Sequence, residues 1–157
     1  MTGCKPSTLP MLQQQHLALA LGPLLIGAAQ YRRLVGRLVY LTITRPGITF
    51  VVNVLTQFMS APWQDHWDVA IHVLRYLKNT VSHGILLSAT SNLILKAYCD
   101  SDWAGCPVSR RSTTGYITML GASPLSWKPK KQTTVSRSSA VEYRAMIAST
   151  SEPLWLK

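Results

Sequence analysis

Apolar residues recur at helical spacing in the first half of the chain and alternate in parts of the second. Tyr31, Leu34, Val35, Leu38 and Val39 fall on one side of a helical wheel, with Arg32, Arg33 and Arg37 elsewhere on it. A second helix is predicted by Ile48, Val51, Val52, Leu55, Phe58 and Met59, with Pro46 acceptable in its first turn. Ser60 is placed to cap a third, in which Trp63, Trp67, Ile71 and Leu74 keep helical spacing as far as Lys78. Strands are then expected at Gly84 to Ser88, Leu93 to Asp102, Gly115 to Leu120 and Leu125 to Lys128. The turn-rich stretches Ala89 to Asn92 and Gly121 to Pro124 separate them. A last helix should begin near Ser139. Pro153 forfeits a backbone bond and crowds the preceding turn, at about 3 kcal/mol, so that helix is expected to end near Glu152.

This order predicts an α/β chain of the α+β type with three parts. Residues 1–28 form an irregular arm carrying Pro6, Pro10 and Pro23, residues 29–80 a helical segment, and residues 84–157 a mixed sheet with a helix. No internal repeat or low-complexity tract interrupts them. Of the residues, 47% are hydrophobic, enough for a core at a length of 157.

Charge narrows the choice of partner. Sixteen Lys and Arg against six acids give a formal charge of +10, which favours anions such as nucleic acid or an acidic membrane surface. Three cysteines form no disulfide framework, and the spacing of Cys99 and Cys106 matches no zinc set, so reduced thiols in an intracellular protein are expected. The apolar run Leu17 to Ala29 is shorter than the roughly 20 residues of a spanning helix. It also lacks the positive start of a signal peptide. The expectation is therefore a cytoplasmic or nuclear protein that is neither secreted nor membrane-bound.

The candidate chemistry lies along Leu93 to Asp102. Alternation puts Leu93, Leu95, Ala97 and Cys99 on one face of a strand and Tyr98, Asp100 and Asp102 on the other. Two carboxylates leaving one strand end together repel unless a cation sits between them, and two-metal hydrolases hold ions about 3.5–4 Å apart with such groups.

The motifs Tyr98-Cys99-Asp100-Ser101-Asp102-Trp103-Ala104-Gly105, Arg110-Arg111-Ser112-Thr113-Thr114-Gly115-Tyr116 and Ser136-Arg137-Ser138-Ser139-Ala140-Val141-Glu142-Tyr143 closely resemble the ribonuclease H region of plant copia-type retrotransposon Pol polyproteins. Tyr31 to Leu38, Thr44-Arg45-Pro46, Gln57-Phe58-Met59 and Val73 to Lys78 are similar to the same family's segment joining polymerase to ribonuclease H. The resemblance covers nearly the whole chain. It implies a helical connection segment followed by a truncated ribonuclease H-like domain, and an ancestral reaction in which two metal ions hydrolyse RNA in an RNA–DNA hybrid.

The same resemblance implies Asp100 and Glu142 as catalytic residues and ligands of Mg2+ or Mn2+. Asp102 would stand in the metal's outer shell or cap the following turn. The family reads Ala-Glu-Ala-Glu-Tyr where this chain reads Ala140-Val141-Glu142-Tyr143, one residue short. That shortening creates Ser139-x-x-Glu142, the spacing of a capping box, so a local role competes with metal binding. The resemblance also implies further aspartates after the helix, whereas Glu152 is the acid that follows Glu142 in these residues. At most half the metal's ligands are therefore present, and no Tyr-x-Asp-Asp polymerase tetrad occurs.

The chain alone is thus expected to be inactive, with the rest of the Pol polyprotein as its partner. Arg110, Arg111, Lys128, Lys130, Lys131 and Arg137 are candidates for following the phosphates of a hybrid or other nucleic acid, with Arg32, Arg33, Arg37 and Arg45 as further cations. Two alternatives stand beside catalysis: a non-catalytic basic nucleic-acid-binding module, and a protein-interaction fragment that associates with a partner or itself through an open sheet edge.

Overall fold

A computed structural model describes residues 3–12, 17, 22–106 and 109–156. The chain divides into two compact units, Met1–Gly84 and Ile85–Lys157.

The first unit is helical. It contains α1 (Ala28–Leu41), a 3-10 turn (Pro46–Ile48), α2 (Thr49–Thr56) and α3 (Gln64–Asn79). Tyr31, Val35 and Leu38 of α1 meet Ile48, then Val51, Val52 and Leu55 of α2, and Val69, Ala70 and Val73 of α3 in one core. The Tyr31 hydroxyl, buried in that core, donates to the Leu55 carbonyl at 2.7 Å. Burial pushes the phenol's pKa well above the ordinary tyrosine range, because the phenolate would be stranded away from water. Val39 is exposed rather than part of the stripe.

The third helix differs from expectation in two ways. It starts at Gln64 with Trp63 in the cap position, so Ser60 is not its cap. His66 takes over part of the capping: its Nδ1 accepts the Trp63 backbone N–H at 2.9 Å. An accepting Nδ1 leaves the proton on Nε2, which donates to the Leu17 carbonyl at 3.0 Å, while the ring stacks on Phe58 with centroids 3.9 Å apart. The fully buried stripe is His66, Val69, Ala70 and Val73, with Trp67 and Leu74 only partly buried at its margin. Small Ala70 and the branched valines let the helices approach, whereas the tryptophans are too bulky for the line of closest contact.

Arg45, Arg75 and Lys78 serve the backbone of this unit. Arg75 Nε donates to the Lys5 carbonyl at 2.8 Å and Lys78 Nζ to that of Cys4 at 3.0 Å, tying the arm to α3. Arg45 donates to the carbonyls of Thr80 and Val81 at 2.5 and 2.8 Å, closing the end of α3. Within the apolar run from Leu17 to Ala29, residues 18–21 lie outside the described residues. Among the described residues no helix is long and apolar enough to cross a membrane.

The second unit is a three-stranded antiparallel meander, β1 (Leu95–Asp102), β2 (Thr113–Leu120) and β3 (Ser123–Lys131), followed by α4 (Ser138–Leu156), which packs on β1 and β2. A sheet and a helix follow the helical segment as expected, but the described strands are all antiparallel rather than mixed. Residues 84–88 form no strand. Ile85, Leu86 and Leu87 follow one another without alternation, and Leu86 and Leu87 are exposed. The backbone N–H of Ser88 instead donates to Ser123 Oγ at 2.9 Å.

Gly121 turns β2 into β3 at φ +58°, where a Cβ would collide with Ser91 and the Asn92 carbonyl. Pro124 and Pro129 are tolerated because β3 is an edge strand, with a register shift opposite Pro124. α4 runs through Pro153 to Leu156 instead of ending near Glu152. The residue before the proline is held from outside the helix: Ser126 Oγ donates to Glu152 Oε1 at 2.7 Å and the Tyr116 hydroxyl reaches Oε2 at 3.4 Å. Those anchors offset the single backbone bond that a proline one turn from the end removes. Burial, and next the Glu152 carboxylate, raise the pKa of Tyr116.

Candidate functional site

The strand register decides which way the carboxylates point. Cys99 pairs with Tyr116 and Ser101 with Thr114, while Asp100 pairs with Gly115 and Asp102 with Thr113. Directly opposed residues share a face. Tyr116 bonds to Glu152 of α4, and Gln132 Nε2 joins Thr114 Oγ1 at 3.0 Å to the Val141 carbonyl at 3.2 Å. Cys99 and Ser101 therefore face α4, and Asp100 and Asp102 leave the other face together, both exposed.

Each aspartate already has a local partner. Asp100 Oδ1 accepts the Ser101 backbone N–H at 2.8 Å. Asp102 Oδ1 accepts the Thr113 N–H across the strand pair. The following turn closes over Asp102: Ala104, at φ +51°, donates its N–H to Ser112 Oγ at 2.9 Å. A Cβ on Gly105 would collide with the Asp102 carboxylate, so a larger residue there would have to displace that side chain.

Glu142 is exposed on α4, whose packed face is Val141, Ala145 and Ser149. The helix begins at Ser138, and the Val141 N–H donates to the Arg137 carbonyl at 3.1 Å, so Ser139 lies inside the helix and not at its cap. The expected capping box therefore loses its first member. The start of α4 and the end of β1 are neighbours all the same, because Trp103 Nε1 donates to the Ser136 carbonyl at 3.2 Å. Asp100 and Glu142 thus belong to adjoining elements but leave from different sides of the sheet. Among the described residues no group of three or more His, Cys, Asp or Glu is arranged to hold a metal ion.

The candidate basic residues fall into two sets. Arg110, at φ +53°, and Arg111 lie exposed in the β1–β2 connection. Lys131 joins that set, with Nζ 2.9 Å from Cys106 Sγ. Lys128 and Lys130 pair with Tyr116 and Thr114, which puts them on the α4 face of β3, and Arg137 precedes α4. Arg144, a residue that hydrophobic patterning does not single out, joins this second set by contacting Thr134 Oγ1. Arg144 and Glu142 lie about 160° apart around α4, so cation and acid occupy different flanks of the helix. No disulfide joins Cys4, Cys99 or Cys106.

The molecule so described is a mixed α+β protein: among the described residues, three α-helices are followed by a three-stranded antiparallel sheet packed against a further helix. No protein-family model matches the chain, and no solved structure matches it. It is 45% identical over 157 residues to the retrovirus-related Pol polyprotein from transposon RE2 of Arabidopsis thaliana, covering 99% of this chain and 11% of that protein. It is 44% identical over 158 residues to the uncharacterized mitochondrial protein AtMg00810 of the same plant, covering 99% of this chain and 65% of that one. Identity to the secreted RxLR effector protein 161 of Plasmopara viticola is 43% over 128 residues, 80% of this chain and 90% of the effector. The chain belongs to the family of plant copia-type retrotransposon Pol polyproteins. It spans about a tenth of the length of the Pol polyprotein it matches.

Proposed function

We propose that the helical unit is the reverse-transcriptase connection of a copia-type Pol polyprotein and that the sheet unit is the opening part of its ribonuclease H-like domain. The observation that carries this reading is the Trp103–Ser136 bond, which sets the carboxylate-bearing end of β1 beside the start of the glutamate-bearing helix. The family resemblance implies Asp100 and Glu142 as ligands of Mg2+ or Mn2+, with Asp102 outside them. The carboxylates of these residues do not converge on one point, so they do not by themselves fit a two-metal centre. The chain alone binds an RNA–DNA hybrid through its cations and does not cleave it.

The test is hybrid binding by the full chain across a salt series, with cleavage followed in Mg2+ and in Mn2+. Affinity should fall as salt rises, because cations that neutralise phosphates release condensed counterions. No cleavage is expected. Cleavage that disappears in Asp100→Asn would overturn the inactive assignment, and binding indifferent to salt would overturn the interface. Appending the segment that follows in a Pol relative and reinserting the residue missing before Glu142 should together restore cleavage, with little activity from either change alone.

A second reading, a protein-interaction fragment, is favoured by the outer surface of α4, where Tyr143, Met146, Ile147, Leu154 and Trp155 are exposed. Concentration-dependent assembly without hybrid affinity, read by sedimentation, would select it.

A further inference from the structure

The basic side chains nearest α4 are not merely scattered on a surface. β3 and the residues after it meet α4 along a cleft of about 250 Å3, with Lys130, Thr133, Thr134 and Arg144 among its walls and Thr114 and Gln132 as hydrogen-bonded neighbours. Among the described residues no acidic side chain lines it. Its three cations come from two elements, Lys130 and Lys131 from β3 and Arg144 from α4; the Lys131 ammonium is turned to Cys106 Sγ, which leaves Lys130 and Arg144 to approach a bound group from separate directions.

We propose that this cleft seats one phosphate group, ordinarily a phosphodiester of a nucleic-acid strand, between Lys130 and Arg144 with the Thr133 and Thr134 hydroxyls as further donors. The inference deepens the nucleic-acid reading given above by naming where a phosphate sits.

Three features favour an oxyanion in this cleft. The Arg144 guanidinium is steadied by Thr134, so less freedom is lost when its planar fork meets phosphate oxygens. The residues next to the cleft are fixed from below: the Gln132 amide donates to both Thr114 Oγ1 and the Val141 carbonyl, bracing β2, β3 and α4 together. Lys128 lies two residues back on the same face as Lys130, about 7 Å along the strand, and continues a cationic track out of the cleft. Glu142, on the other flank of α4, does not oppose the anion there.

The experiment compares the full chain with Lys130→Ala, Arg144→Ala and Arg144→Lys, using Lys96→Ala as a charge-matched control. Lys96 is exposed on the sheet face away from α4. Binding of a 12-base-pair RNA–DNA hybrid is measured against salt, and backbone amide shifts are followed on titration with inorganic phosphate. Circular dichroism checks that every variant folds, and Arg144→Lys keeps the charge should the alanine disturb the helix.

Lys130→Ala and Arg144→Ala should each weaken hybrid binding roughly tenfold and lower the salt slope by about one. Arg144→Lys should fall between, and Lys96→Ala should change little. Phosphate should shift the amides of Thr133, Thr134 and Arg144 first. If the hybrid binds but the cleft variants lose no more than Lys96→Ala, the cleft assignment is wrong and the nucleic-acid reading stands. If the hybrid does not bind while phosphate still moves these amides, and Arg144→Ala abolishes the shift, the cleft is a free-phosphate site and the nucleic-acid reading falls. Failure of both probes overturns both.

Discussion

The two units solve the problem of stability differently. In the helical unit large apolar side chains interlock, with Tyr31, Val35, Leu38, Ile48, Leu55 and Val73 all buried. Its polar side chains Arg45, Arg75 and Lys78 are spent on backbone carbonyls. In the sheet unit the buried apolar positions are small, Ala104, Val141 and Ala145, and much of what is buried is polar: Ser112, Thr114, Thr118, Ser123, Gln132 and Ser149. Its larger apolar groups, Tyr98, Trp103, Tyr143, Met146, Ile147 and Trp155, face outward. Apolar burial stabilises by about 25 cal/mol per Å2, so the helical unit has the stronger basis for standing alone. The sheet unit relies on turns and hydrogen bonds, and it keeps Lys128, Lys130 and Arg144 at its surface, where a ligand can use them. Structural stability and candidate chemistry are therefore unequally divided between the two.

The largest effect should come from cutting into the apolar core. Leu55→Ala should destabilise the helical unit by about 3 kcal/mol through lost burial and the cavity left behind. Amide hydrogen exchange read residue by residue would show protection falling in α1 to α3 and persisting in β1 to β3. Equal loss in both units would break the comparison.

Next is the turn on which the sheet unit depends. Gly121→Ala must hold φ at +58° and displace Ser91 and Asn92, so it should cost about 2 kcal/mol. Exchange protection in β2 and β3 should fall, and an unchanged urea midpoint for this unit would show that the turn relaxes freely.

A smaller effect concerns alkaline pH. Because the folded state raises the Tyr31 pKa, the unfolded chain loses that phenolic proton first as pH climbs past the ordinary value near 10. Stability of the helical unit is complete below that point and should decline by about 1 kcal/mol between pH 10 and 11. Urea unfolding at pH 9 and pH 11, with Tyr31→Phe as reference, checks this. A decline of the same size in Tyr31→Phe would assign it elsewhere.

The smallest effect should be a gain. Thr118 Oγ1 is buried with no hydrogen-bond partner. Thr118→Val removes that unpaired hydroxyl at nearly constant shape and should stabilise the sheet unit by up to about 1 kcal/mol. A loss on thermal unfolding would mean that the polar interior of this unit is better satisfied than its contacts imply.

The sequence by itself determined the order of elements, because periodicities of 3.6 and 2 are local properties of a chain that must bury one side of each element. It placed helices around Tyr31–Leu38, Val51–Leu55 and the residues up to Lys78, and it put Asp100 and Asp102 together on one strand face. It also marked the family, since the ordered Asp-Ser-Asp-Trp-Ala-Gly and Arg-Arg-Ser-Thr motifs are read without any fold. What patterning could not rank were choices in which several local answers compete.

Ser60 is as good a cap by type as any residue, yet His66 supplies one from inside the helix because Leu17 and Phe58 hold its ring in place. Residues 84–88 read as a strand, but a strand needs a ladder partner, and the Ser88 N–H bonds to the Ser123 hydroxyl instead. Pro153 is compatible with a continuing helix only because Ser126 and Tyr116 hold Glu152 from the sheet. The candidate site follows the same division. Residue types name the carboxylates and cations, whereas strand register and the rotation of α4 decide that Asp100 and Glu142 leave different faces and that Lys130 and Arg144 share a cleft. Those outcomes depend on contacts between residues far apart in the chain, whose energies no local window contains.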